Sequence, residues 1–258
     1  MPASSVTRRA LGELGVCTPL FVQEITDAAV DAFAPDGRAD LMVRIAVPLP
    51  ALSMQGFLGA DEWYADRMRQ SVTALTAGQS PHPERAARDL HGLIEELVAE
   101  KAVSPGPDLV SWMLHHSPDA RPDALAHEVY DLVVITADTA TALITGRLML
   151  ELPGPGREGS GRAPGDQART GPPESEAGLA LLIADAVVDR LLERLPGLRL
   201  RLPVGEIRRT HTGLPLVLDA DFPPVRGMRG TATAGGPVRF RLPEPSFTIT
   251  PPDGSGRR

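Results

Sequence analysis

The chain has 258 residues and 42% hydrophobic content, enough for one large domain or two modest ones, which excludes a mini-protein or a fibre. Its 26 basic and 33 acidic residues give a formal net charge of −7, which argues against a general binder of nucleic acid or anionic membrane. The single cysteine, Cys17, excludes an intrachain disulfide and a cysteine-based zinc site.

The start (PASSVTRRALGELG) is polar and carries no apolar signal region. Residues 19–34 place Val22, Ile25, Ala29 and Phe33 at helical spacing, with Pro19 near the first turn and an Ala-Pro-Asp-Gly break at 34–37. The more apolar stretch 39–58 predicts a helix kinked or divided at Pro48 and Pro50. Asp61 and Glu62 open a helix to about Thr76. Pro83 and Glu84 open another, with Leu90, Leu93, Ile94, Leu97 and Val98 in one stripe, ending near Val103. Asp108 begins a short helix closed by Ser117-Pro118. Pro122 or Asp123 starts the longest helix, which runs to about Leu152 through Ala126, Val129, Val133, Ala137 and Ile144. Asp138, four threonines and Arg147 make its apolar stretch at 132–152 too polar for a membrane span.

Glycine (25) and proline (26) are in excess, and the excess is local, with 11 of them in 153–173 and 13 in 223–258. Segment 153–173 has no periodicity and reads as a linker. Residues 174–195 resume as an apolar helix, with Leu179, Leu182, Ala186 and Leu192 on one side, stopped by Pro196-Gly197. LRLRLP, EIRRTH and LPLVLDADF then read as strands or edges, with PVRFRL a last candidate. The tail from Val225 carries +4 through Arg226, Arg229, Arg239, Arg241, Arg257 and Arg258 against Glu244 and Asp253, leaving −11 on residues 1–224. It reads as a flexible basic tail. The class is mainly α with minor β.

No common catalytic or metal motif stands out. His115-His116 adjoins a helix end and, with His127 and Glu128, is the one group worth weighing as a metal site. No HExxH or i,i+4 His pair exists, so these histidines, with His82, His91 and His211, read as surface residues. No Gly-x-Ser-x-Gly elbow is present, and GREGSGRAPG at 156–165 lacks the Gly-Lys-Ser/Thr of a P-loop.

Three stretches resemble bacterial cytochrome P450s: CTPLFVQEITDAAVDAFAPDGRADLMVRIAVPLPALSMQGFLG at 17–59, the run from DLVSWML to ITADTATALITGRLMLEL at 108–152, and AGLALLIADAVVDRLLERLPGLRL with its closing strands at 177–224. The resemblance implies a truncated, P450-like helical fold. It divides the chain into a helical region at 1–152 with the long central helix, a linker at 153–173 in place of the haem-binding core, a helix and strands at 174–224, and the tail at 225–258. The same resemblance puts Glu174 at the haem-ligating cysteine, Pro172 at the loop histidine and Leu181 at a propionate-binding arginine. It puts Thr141 on the alcohol of the family's proton relay, with Thr139 replacing the acid and Asp138 one residue away.

These departures from the family pattern imply no cofactor and no monooxygenase activity. The favoured function is a non-catalytic, cytoplasmic partner that activates a biosynthetic enzyme of bacterial secondary metabolism, such as a glycosyltransferase. It is similar in this to P450-like auxiliary proteins of natural-product glycosyltransferases. The alternative is a haem-independent isomerase or cyclase, or a binder of a small apolar ligand, using the former substrate cavity. Asp138, Thr139 and Thr141 would then be its catalytic residues.

Overall fold

The computed structural model describes residues 4–14, 17–76, 81–156 and 173–225. Most of the expected linker, the tail beyond Val225 and the candidate strand PVRFRL lie outside the described residues.

The first helix, α1 (Ser5–Gly12), is one that so polar a sequence does not signal. Ser4 caps it, its hydroxyl accepting from the amides of Val6 and Thr7 at 3.1 Å each. Ala10 and Leu11 bury completely, and Ser4 and Thr7 both donate to the Glu128 carboxylate. The helix α2 (Cys17–Phe33) follows, then a 3-10 turn (Ala34–Asp36) that Gly37 ends with φ +69°. That left-handed conformation favours glycine and turns the chain into strand β1 (Arg38–Asp40).

The stretch 39–58 divides at the prolines as expected, but its first part is not an α-helix. A π-helical turn (Met42–Ala46) closes with Val47 N–H donating to Met42 O at 3.1 Å, and α3 (Pro48–Phe57) starts anew at Pro48. Pro48 has no N–H to continue a preceding ladder, so it sits where a helix begins. Gly56 lets α2 approach: a Cβ there would lie 2.3 Å from the Phe21 ring.

The remaining helices are α4 (Glu62–Thr76), α5 (Pro83–Val103), α6 (Leu109–His116), α7 (Pro122–Glu151) and α8 (Glu176–Arg194). Their starts carry the expected devices. Asp61 accepts from the Trp63 and Tyr64 amides, Asp108 accepts from Ser111 N at 2.8 Å, and Ser175 accepts from Gly178 N at 3.1 Å. Strands β2 (Arg199–Leu200) and β3 (Asp219–Asp221) join β1 in one antiparallel sheet of order β1-β3-β2. The segment EIRRTH is not a strand: Glu206 ends a 3-10 turn, and only Arg209 bridges, to Pro215.

One core gathers side chains from Ala10 to Phe222, so the regions before and after the linker share it. Helix α7 lies at its centre, packed most extensively on α8 and also on α5, α3 and α4. By length and composition α7 could cross a bilayer, contrary to expectation; its burial between other helices accounts for that apolar character. Asp27 meets Arg190 and Arg194 while Asp31 meets Arg194, so α2 and α8 run side by side in the same direction.

Candidate functional site

Helix α7 is buried on most sides and bare on one. Asp131, Ile135, Asp138, Ala142, Gly146 and Leu150 recur every three or four residues, which places them on one face, and all six are exposed. Ile135 is 46% and Leu150 62% exposed. From Ile135 to Leu150 the stripe has small side chains, Ala142 and Gly146, between branched apolar ones, and Asp138 is its sole charge there.

The structure does not assemble Asp138, Thr139 and Thr141 into one polar set. Thr141 is fully enclosed and its hydroxyl donates to Ala137 O at 2.8 Å, a bond within its own helix that leaves it no proton to relay. Thr145 does the same with Thr141 O at 2.6 Å. Thr139 is half-buried, and Asp138 lies on the exposed stripe. Partial burial nonetheless raises the Asp138 carboxyl above its ordinary value. Thr136, which periodicity does not distinguish from the other threonines, is fully buried and its hydroxyl has no hydrogen-bond partner among the described residues.

Next to the stripe, Arg147 ties α7 to α8. Its guanidinium donates from Nε to Glu151, from Nη1 to Asp185 and from Nη2 to Asp189, each at 2.8 Å. Burial opposes the charge of Arg147, and the carboxylates of Glu151 and Asp189 outweigh it, so the pKa is raised. The C-terminal end of α7 is thereby fixed to α8.

The histidines engage aromatic rings and one another. His116 stacks on Trp112 at a centroid distance of 5.8 Å, whereas His127 stacks on Tyr130 at 6.5 Å and approaches His91 at 6.1 Å. Among the described residues no group of three or more His, Cys, Asp or Glu side chains could hold a metal ion.

No family model matches the chain. It is 36% identical over 99 residues to the cytochrome P450 monooxygenase PikC of Streptomyces venezuelae, a match covering 37% of this chain and 24% of that protein. The chain spans between about a fifth and a third of the length of the curated relatives it matches, all but one of which are called cytochrome P450 or biflaviolin synthase and the other 6-deoxyerythronolide B hydroxylase. Among solved structures, cytochrome P450 MoxA from Nonomuraea recticatena superposes with a TM-score of 0.65 at 18% identity, over 86% of this chain and 77% of that one. P450BioI, solved in complex with an acyl carrier protein ligated to hexadec-9Z-enoic acid, gives 0.63 at 15% identity over 84% and 78%. The chain is thus related to bacterial cytochrome P450s and shares their fold.

That fold implies haem, and the residues here do not fit one. Haem iron is held by Cys, His, Met or Tyr, and the segment from Leu150 to Glu176, which leads into α8, contains none of the four. Glu174 is an exposed carboxylate, the Ser175 hydroxyl is engaged as the α8 cap, and Leu181 is a half-buried apolar residue. Cys17, the one thiol, opens α2 instead.

Proposed function

We propose that this protein is a P450-like scaffold that works without haem, as a non-catalytic partner of a biosynthetic enzyme in bacterial secondary metabolism. A glycosyltransferase is the enzyme class we expect, and the cytoplasm the compartment. The observation that carries this reading is the bare stripe on α7. A row of apolar and small side chains, Ile135, Ala142, Gly146 and Leu150, stays exposed on the most central helix of the core. Covering such a surface is favourable, and soluble proteins use exposed apolar patches as interfaces. The absence of Cys, His, Met and Tyr from Leu150 to Glu176 supports the same reading, and P450BioI is a protein of this fold solved with a protein partner.

The test pairs the purified protein with glycosyltransferases of bacterial secondary-metabolite pathways. Complex formation and raised transferase activity are expected, with both lost in Ile135→Asp or Ala142→Asp while the unfolding temperature holds. No complex, or a complex indifferent to both substitutions, contradicts the reading.

A second reading, a haem-independent isomerase or cyclase or a binder of small apolar molecules, is favoured by the raised carboxyl of Asp138 and the unpartnered hydroxyl of Thr136. It predicts turnover by the isolated protein that Asp138→Asn abolishes. Thr141→Val should leave such turnover intact, because that hydroxyl already serves Ala137.

A further inference from the structure

Away from α7, a cavity of about 460 Å³ opens where the end of α2, β1, the π-helical turn, β2 and β3 converge. Its volume falls in the range of small-molecule sites, about 300–1,000 Å³. Phe33, Ala39 and Val43 supply its apolar wall, and Val43 is 66% exposed. Three guanidiniums, those of Arg38, Arg44 and Arg201, line the same space.

These cations are not equally engaged. Arg201 faces Asp221 at 3.6 Å. Arg38 stands opposite Asp221 in the β1–β3 ladder, yet among the described residues neither Arg38 nor Arg44 forms an ion pair with a carboxylate. The acids of the cavity divide in the same way. Asp40 Oδ1 is occupied, accepting from Met42 N at 2.9 Å and Leu218 N at 3.0 Å, which holds the start of the π-helical turn against the sheet. Asp36 and Asp219 are exposed and make no such bonds. The π-helical turn presents Val43 and Arg44 outward in succession, and single π turns are frequent at functional sites.

We propose that this cavity binds a phosphate monoester bearing hydroxyl groups, of the size and chemistry of a sugar phosphate. Arg38 and Arg44 take the phosphate, whose several oxygens match two guanidinium forks where a carboxylate matches one. Asp36 and Asp219 accept from the hydroxyls and would repel a bare anion. The apolar wall takes a carbon face of the ligand. This site stands independently of the partner reading.

Isothermal titration of the full chain at low ionic strength with glucose 6-phosphate, inorganic phosphate and glucose tests it. Glucose 6-phosphate is expected to bind saturably at millimolar concentration, more tightly than inorganic phosphate, and glucose not at all. Arg38→Gln and Arg44→Gln should each weaken binding about tenfold or more, since a charge-assisted hydrogen bond is removed. Both side chains are exposed, so the unfolding temperature should not move. Asp219→Asn should bring the affinity for glucose 6-phosphate towards that for inorganic phosphate. The proposal is overturned by absence of saturable binding, by equal affinity for the two phosphates, or by affinity indifferent to Arg38→Gln and Arg44→Gln. Capture of the anion by the six arginines of 226–258 would give that last outcome.

Discussion

Replacing Arg147 with methionine removes one cation from among three carboxylates on two helices. The side chain is 20% exposed, its partner Glu151 only 7%, and Asp185 and Asp189 20% and 23%, so the cluster is largely withdrawn from water. In Arg147→Met the carboxylates of Glu151 and Asp189 lose the guanidinium that pairs them, a situation that costs about 3–5 kcal/mol when a buried pair loses one partner. For a chain of this size that corresponds to a fall in Tm of roughly 6–20 °C, at about 2–4 °C per kcal/mol. Arg147→Lys keeps the charge, but one ammonium cannot serve three carboxylates with the geometry of a guanidinium. It should lose about 1.5–3 kcal/mol, the worth of one charge-assisted hydrogen bond. Chemical and thermal unfolding followed by circular dichroism read both. A loss below about 1 kcal/mol for Arg147→Met, the value of an exposed ion pair, would refute the reasoning that this cluster locks α7 to α8.

The sole lysine, Lys101, reaches Asp108 at 3.1 Å with side chains 12% and 3% exposed; Lys101→Met and Asp108→Asn should each cost about 3 kcal/mol, and the double variant clearly less than their sum in a double-mutant cycle. For Asp27, burial works to raise the pKa and hydrogen bonds from Arg190 and Arg194 outweigh it, so the net shift is downward. The stability this contributes is present above the unfolded value near 3.8 and is lost as pH falls through the folded value; acid unfolding of Asp27→Asn should lack that component. Burial lowers the pKa of His116, helped by His115 and Arg9, so stability is full above pH 6.5 and declines as pH drops towards the folded value. Amide protection factors in α1 and α6, taken relative to the unfolded-chain exchange rate at each pH, should fall at pH 5 relative to pH 7.5 and lose that pH dependence in His116→Phe.

Much of the helical scaffold could be read from the chain because its signals are local. Pro83 with Glu84, Asp108, and Pro122 each mark a helix start within a residue of the observed one, and Asp61 caps the helix it was expected to open. Helix α1 was illegible because its stability comes from Ala10, Leu11 and the long-range contact of Ser4 and Thr7 with Glu128, not from periodicity. The π-helical turn was masked by an apolar run that reads equally as α-helix, and β1 by its dependence on β3, some 180 residues later in the chain. The same limit applies to the candidate site. Asp138, Thr139 and Thr141 are neighbours in sequence, but only packing decides that Thr141 is enclosed and Asp138 exposed. The cavity cations Arg38, Arg44 and Arg201 come from two distant segments, and nothing in either stretch pairs them.

The central claim, that this P450-like scaffold works without haem, is tested most directly by titrating haem into the purified protein and recording the Soret region of the reduced, carbon-monoxide-treated sample. With Glu174 where the family resemblance places the ligand, and no Cys, His, Met or Tyr from Leu150 to Glu176, no stoichiometric binding and no thiolate-type ferrous carbonyl band are predicted. A stoichiometric complex with that band would contradict the account.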